Sequence, residues 1–533
     1  MITMENMSRT LTKYTAWSVY FMILALYAFS LWALFEHRTE QTFWSLAETW
    51  RILRYSLVQA ALSAGISVLA GLMLARSFFY LNFSGKALLY KFVSFIWALP
   101  SLVVIFAVIG VWGNSGWLAS GSAYFGIPWE FNLYGLQGIL IAHVFFNIPL
   151  VTKYALEGLR LIPSSQHQLA TQLDLRGWGY FRVVEYPILK GILPYAFVNV
   201  FLICFTSFPI VLMLGGGPQY STLEVAIYQA VAFEFDFAKA VLLIMVQVLV
   251  GILLQMLIDV ATRFAFHHSK KNGTAVGTVW KPSPSGIYKR VLQTVLVVFS
   301  CFLLIPLCNV LWSGLSVPAF FQKVTHPSLW QAAWYSLLLS LVSSVSVIIV
   351  AYLIGLEVRQ LAYRRQKVKQ SILAGVSTYP LIMPVFLLAV GLFLLLMDVE
   401  LQTWQLLLIV GICNGLMLLP YIYRLLFSAM WQALVSHDQL ARSLGLTGWR
   451  RWWIVERTYL IHPLRTALAL SMASGLGSFA VIAFFGSPDF STLPYLLYQQ
   501  LGSYRTEEAA VTALVLMLFT FWPFLFIEHE ENK

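Results

Sequence analysis

Twelve separate apolar runs, each long enough to cross a bilayer, constrain this chain more than any other feature. Stretches of about 18 to 26 residues fall near 16–35, 56–75, 92–112, 134–155, 191–214 and 239–262, and again near 291–313, 334–356, 371–397, 403–427, 464–485 and 508–527. A hydrocarbon layer about 30 Å thick demands about 20 apolar residues per helical span, and backbone in lipid must satisfy its own hydrogen bonds. The chain has 533 residues, 59% of them hydrophobic and 11% charged, with a mean hydropathy of +0.76. A soluble protein carries about 25% charged residues. The expected fold class is therefore all-α integral membrane, with twelve transmembrane helices. The run from Ala16 to Phe35 follows Arg9 and Lys13, exceeds a signal-peptide core and lacks an obvious small-residue cleavage site, so it is expected to stay as the first span.

Between the two sets lies His267 to Arg290, a polar stretch containing Lys281-Pro-Ser-Pro-Ser-Gly that reads as a linker. The expected organisation is a first six-span repeat over 1–266, a cytoplasmic linker over 267–290 and a second six-span repeat over 291–533. Sidedness follows from Lys and Arg. With a cytoplasmic amino terminus, 28 of the 34 basic residues fall in inside segments and five in outside loops, with Lys239 at a helix end. By the positive-inside rule both termini and the linker are cytoplasmic. The net charge of +11 is then topology and calls for no nucleic-acid partner.

The two sets are copies of each other. Tyr55-Ser56-Leu57 returns as Tyr335-Ser336-Leu337, each five residues after a Trp (Trp50, Trp330). Pro218-x-x-Ser221-Thr222-Leu223 with Tyr228-Gln229 returns as Pro488-x-x-Ser491-Thr492-Leu493 with Tyr498-Gln499, a shift of 270. An even number of spans per repeat gives two halves of like orientation, related by a pseudo-twofold axis along the membrane normal.

One long basic loop per half, 157–190 and 428–463, aligns at a shift of 271. Ser165-x-x-Gln168 matches Ser436-x-x-Gln439, Leu169-Ala170 matches Leu440-Ala441, Gly177-Trp178 matches Gly448-Trp449, and Val184-Glu185 matches Val455-Glu456. Ser-x-x-Gln is a capping box and predicts a short helix opening at each serine. Gly445 stands where a left-handed helix stop belongs, and Asp174, its counterpart, tolerates that conformation better than most residues. A duplicated two-turn helix outside the membrane has no packing duty in a bundle; it reads as a docking element.

The pattern resembles the Glu-Ala-Ala coupling loop of permease subunits of ABC importers. Carried over, the first copy is Gln168, Leu169, Ala170, Asp174, Val184 and Pro187, and the second is Gln439, Leu440, Ala441, Gly445 and Val455, with Glu456 following. Gln replaces the leading Glu in both, Asp174 replaces a glycine, and Thr458 replaces the proline. Tyr134 to Asn147, Leu214-Gly-Gly-Gly-Pro-Gln219 and Tyr498 to Arg505 are further similar to the fused permeases of bacterial thiamine and thiamine pyrophosphate importers, over nearly the whole chain. The resemblance implies an inner-membrane permease, two copies of a cytoplasmic ABC ATPase, a periplasmic substrate-binding protein, and thiamine or thiamine pyrophosphate as cargo. A ferric-iron importer permease shares the fused plan, and the residues themselves leave that alternative open.

No P-loop is present. Ser84-Gly85-Lys86-Ala87 lacks both the upstream glycine (Tyr80 stands there) and the following Ser or Thr, so ATP hydrolysis must come from a partner and no catalytic site is expected. No cofactor or metal is expected either. Cys204, Cys301, Cys308 and Cys413 form no C-x-x-C and read as small packing residues, while His267-His268 and His529 lack ligand spacing. A twelve-span secondary carrier would place carboxylates mid-membrane; here Asp259, near a cytoplasmic end, reads as capping or pairing with Arg263. His143 and Asn414 share a repeat position about ten residues into a span, hence ~15 Å deep. With Asn147 one turn on, they read either as hydrogen bonds between packed helices or as pathway lining.

Overall fold

A computed structural model describes residues 2–36, 45–269, 280–446, 448–487 and 490–531. The side chains of Asp259, Arg263, His267, His268 and His529 lie outside the described residues. The first half contains α1 (Ile2–Glu36), α2 (Leu46–Tyr80), α3 (Lys86–Trp97), α4 (Ser101–Trp112), α5 (Trp117–Tyr124), α6 (Leu136–Arg160) and α7 (Ser164–Gln172). It continues through α8 (Gly177–Tyr180), a π turn (Phe181–Glu185), α9 (Tyr186–Phe205), α10 (Pro209–Leu214), α11 (Leu223–Ala232) and α12 (Phe237–Ser269). The second half holds α13 (Gly286–Leu315), α14 (Phe320–Val324), α15 (Pro327–Tyr363), α16 (Lys367–Gly375), α17 (Tyr379–Ile382), α18 (Val385–Leu396) and α19 (Thr403–Ser443). After it come α20 (Gly448–Arg451), a second π turn (Trp452–Glu456), α21 (Arg457–Leu476), α22 (Ile482–Phe485), α23 (Leu493–Gly502) and α24 (Thr506–Glu531).

Among the described residues, nine helices are long and apolar enough to cross a membrane. Several of the apolar runs are not single rods. The run at 92–112 breaks at Pro100 (φ −59°, ψ 138°) and the run at 371–397 breaks at Pro384 (φ −58°, ψ 144°). A proline has no N–H to donate and disfavours the helical region in its predecessor, so each run is split into shorter helices. The run at 191–214 is interrupted between Phe205, where α9 ends, and Pro209, which opens α10 as its first residue. The run at 464–485 ends as helix at Leu476, with Gly477 as its cap.

The chain packs as two compact units that cross chain order: residues 1–43, 227–248 and 319–533 form one, and 44–226 with 249–318 form the other. In the first unit α1 packs on α15 and α18; in the second α13 packs on α2 and α4. Both crossings are made at a glycine. A Cβ on Gly391 would strike the backbone of Ser30, and one on Gly110 would strike the side chain of Asn309, whose Nδ2 donates to the Gly110 carbonyl at 3.2 Å. Small residues let helix backbones approach where lipid supplies no hydrophobic drive between helices. Repeated letters also make repeated bonds. Leu223 N donates to Ser56 Oγ at 3.0 Å in one unit, and Leu493 N to Ser336 Oγ at 2.7 Å in the other. Each serine thereby satisfies an orphan donor in the first turn of a short buried helix.

Candidate functional site

The first of the two matched loops opens at Pro163 (φ −63°, ψ 142°), which ends α6 and starts α7 at Ser164 with no side-chain cap. The expected capping box is not made, since the helix begins one residue before Ser165. The second loop has Leu434 at the position of Pro163, and nothing interrupts the helix. α19 runs unbroken for 41 residues through Ser436, so the expected separate short helix is instead the end of a long one.

The two loops converge at their helix stops. Asp174 (φ 51°) and Gly445 (φ 64°) both adopt the left-handed conformation. Leu175 N donates to Ala170 O at 3.0 Å and Leu446 N donates to Ala441 O at 2.9 Å, the closing bond of a Schellman motif in each. Asp174 carries the cost of the conformation with its carboxylate accepting from exposed Arg176 Nε at 2.7 Å.

Burial sorts the loop residues. Ala170 and Ala441 face inward and are buried, and their small size lets each loop close on its own bundle. Gln168 and Gln439 are exposed. Outward apolar side chains include Leu169, Leu173 and Trp178, exposed by 57%, 64% and 73%, and Leu440, Leu444 and Trp449, exposed by 57%, 65% and 71%. Each trio is the other's counterpart at a shift of 271. Leu173, Leu444 and the outward aim of both tryptophans were missed by sequence reasoning; exposed apolar clusters of this kind mark interaction surfaces.

Behind each surface lies a buried ion pair. Arg76 Nε sits 2.8 Å from Glu185 Oε2, and Tyr80 OH donates to Glu185 Oε1 at 2.8 Å. In the other unit Arg359 Nη2 donates to Glu456 Oε1 at 2.8 Å; Arg451 lies 3.4 Å from the same oxygen and donates to Asp438 Oδ1 at 2.8 Å. Both glutamates close π turns, at 181–185 and 452–456. Such turns are rare and favour functional sites. Pro187, second in α9, is exposed, and the matching π turn forms with Thr458 in its place, so the proline is not its cause.

The end of the linker touches the first loop. Trp280 N donates to Ser164 Oγ at 2.9 Å, and Lys281 Nζ donates to the Phe79 carbonyl while lying 5.0 Å from that ring's centroid. His167, buried on α7, bonds the Tyr180 hydroxyl across the loop. Burial, and after it the charge of Lys281, push the His167 imidazole down to about 4.

His143, Asn147 and Asn414 are all buried. His143 Nδ1 lies 3.1 Å from Ser63 Oγ on α2. Asn147 Nδ2 donates back to the His143 carbonyl at 2.8 Å, and Gln59 Nε2 on α2 donates to the Cys204 carbonyl at 2.9 Å. Asn414 Oδ1 accepts from Ser478 Oγ at 2.8 Å. These bonds tie helices within each unit. Cys204 and Cys413 are buried as expected of packing residues, whereas Cys301 and Cys308 are exposed on α13.

Residues 67–265 match the family described as "Binding-protein-dependent transport system inner membrane component". The chain is 43% identical to the thiamine transport system permease protein of Haemophilus influenzae, over 89% of this chain and 88% of that one. It is 38% identical to the Escherichia coli K12 protein of the same name, over 91% and 90%, and 33% identical to that of Brucella abortus, over 88% and 85%. Helices able to cross a membrane, paired loops and likeness over most of the length agree: the chain belongs to the thiamine transport system permease family of binding-protein-dependent inner-membrane components.

Proposed function

We propose that this chain is the permease of an ATP-driven importer that passes thiamine or thiamine pyrophosphate from a periplasmic binding protein to the cytoplasm. The relatives named above carry thiamine in their names and none carries iron, which favours this cargo over ferric iron. The observation that carries the mechanism is the matched pair of outward apolar trios, Leu169–Leu173–Trp178 and Leu440–Leu444–Trp449. Two equivalent surfaces suit two copies of one cytoplasmic ATPase, which supplies the hydrolysis that this chain has no P-loop to perform. A scarcity of carboxylates in the spans speaks against an ion-driven carrier.

In this reading the chain is two tandem six-span repeats, 1–266 and 291–533, joined by the cytoplasmic linker 267–290 and related by a pseudo-twofold axis along the membrane normal. The duplicated Ser–Leu bonds and the duplicated glycine crossings support it. The charge bias puts the docking loops inside. Alternating access then needs a rigid link from each loop to the spans. The buried Arg76–Glu185 and Arg359–Glu456 pairs supply it, because a desolvated, hydrogen-bonded pair resists separation.

The test is uptake in a deletion strain complemented with this chain. High-affinity uptake of labelled thiamine should disappear on deletion and return on complementation, with ferric-iron uptake unchanged. The reverse pattern would promote the iron reading.

A further inference from the structure

Tyr228 and Tyr498 occupy the same position in the two halves, sixth in α11 and sixth in α23, and their hydroxyls are hydrogen-bonded to each other. A residue that touches its own counterpart lies on the operator that relates the copies, because only there do equivalent points coincide. Other equivalent pairs, such as Ser56 and Ser336, bond within their own repeats instead. In tandem repeats of like orientation that operator is the axis along which cargo passes. α11 and α23 belong to segments that the charge bias assigns to the outer side. The tyrosine pair therefore crosses the passage near its outer end.

Aromatic rings surround it. Tyr228 lies 5.2 Å from Phe484 at 71° and 6.5 Å from Phe386 at 35°, and Phe484 lies 6.3 Å from Phe393. On the other side Tyr495 lies 6.5 Å from Tyr498 at 34°. Ring faces carry negative potential and attract a cation, and they stack on a flat heterocycle. A cluster of this kind has no charge to offer and no metal ligand; a heteroaromatic cation is the ligand class that it suits.

We propose that Tyr228 and Tyr498 form the outer gate of the passage, and that their ring faces, once parted, receive a heteroaromatic cation. The proposal rests on the tandem-repeat and thiamine readings above. The hydroxyl pair is a neutral hydrogen bond of modest net strength, which binding-protein docking can overcome. Parting the rings leaves two aromatic faces on opposite sides of the axis, able to grip a thiazolium or aminopyrimidine ring in sequence.

The experiment uses the permease reconstituted in proteoliposomes with its ATPase and binding protein, with labelled thiamine inside the wash-resistant pool as readout. Tyr228→Phe with Tyr498→Phe keeps both rings and removes the latch. Hydrolysis in the absence of binding protein should rise about threefold to tenfold, with the KM for thiamine nearly unchanged. Tyr228→Leu with Tyr498→Leu removes the ring faces and should raise that KM at least about tenfold. Should the Leu pair fail to assemble, cysteines at both positions, in a background with the native cysteines replaced, decide the matter. A short bis-thiol crosslinker should stop transport, and a cleavable version should restore it on cleavage. Failure of the wild type to take up thiamine overturns the cargo reading. Wild-type uptake with Phe-pair hydrolysis and Leu-pair KM both unchanged, or free transport through the crosslinked pair, overturns the gate.

Discussion

Arg359 Nη2 lies 2.8 Å from Glu456 Oε1, 97 residues along the chain, and both side chains are almost wholly withdrawn from solvent. The bond joins the end of α15 to the π turn of the second matched loop, and Arg76–Glu185 makes the same join from α2 to the first. Breaking such a pair strands a buried charge, at a cost of about 3–5 kcal/mol, whereas removing both charges costs far less. Arg359→Met should therefore lower the melting temperature of the purified permease sharply. Adding Glu456→Gln should recover most of the loss while leaving hydrolysis uncoupled from uptake. Equal melting of the single and double variants would refute the link.

The imidazole of His167 gives the first loop a pH dependence. Burial and Lys281 hold it at about 4 in the folded chain against an ordinary 6.5. The unfolded chain thus binds the proton first, and stability contributed by neutral His167 is complete above pH 6.5 and lost as pH falls towards 4. Melting of the wild type between pH 7 and 4 should show a steeper decline than melting of His167→Asn. Parallel curves would remove the histidine from the account.

The glycine crossings differ in what a side chain would meet. At Gly391 the obstacle is the backbone of Ser30, which cannot turn aside; at Gly110 it is the end of the Asn309 side chain. Gly391→Ala should cost about 1–3 kcal/mol, with no rescue from Ser30→Gly. Gly110→Ala should be largely rescued by Asn309→Ala. Purification yield and thermal melting of the four variants check both halves of the statement.

Sidedness is open to labelling. Ser283, in the described part of the linker, and Ser120, on α5, are both exposed. In a background with Cys204, Cys301, Cys308 and Cys413 replaced by Ala, a cysteine at Ser120 should react with an impermeant maleimide on intact spheroplasts. One at Ser283 should react only after lysis. The opposite result would invert the orientation read from 28 inside and five outside basic residues.

The duplication was legible in the letters because the same bonds demand the same residues: Ser56 and Ser336 each must accept from a leucine N–H 167 or 157 residues away. The helix stop at Gly445 was legible for the same local reason. What escaped was anything set by a partner far along the chain. Nothing near Glu185 names Arg76, and nothing near Phe386 names Tyr228. A capping box at Ser436 opens no separate helix because nothing ends the helix before it; Pro163 does so in the first half, and Leu434 does not in the second.

The inward aim of Ala170 and Ala441 beside the outward aim of their neighbours yields a sharp separation of variants. An aspartate at Ala441 must enter a site closed by its own bundle, so Ala441→Asp should destabilise the permease itself, by about 1–3 kcal/mol, before any partner is considered. Leu444 and Trp449 point outward, and their replacement removes only surface that a partner would cover. Leu444→Asp with Trp449→Ser should leave the melting temperature of the isolated permease unchanged and release, on co-purification, the ATPase copy held at that loop. The corresponding pair in the first loop, Leu173→Asp with Trp178→Ser, should behave alike, since the exposed trios match residue for residue. One ATPase copy should stay bound when a single loop is altered and neither when both are, which native mass measurement of the complex resolves. If the outward variants keep full ATPase while Ala441→Asp sheds it from a stably folded permease, the inward and outward assignments are reversed.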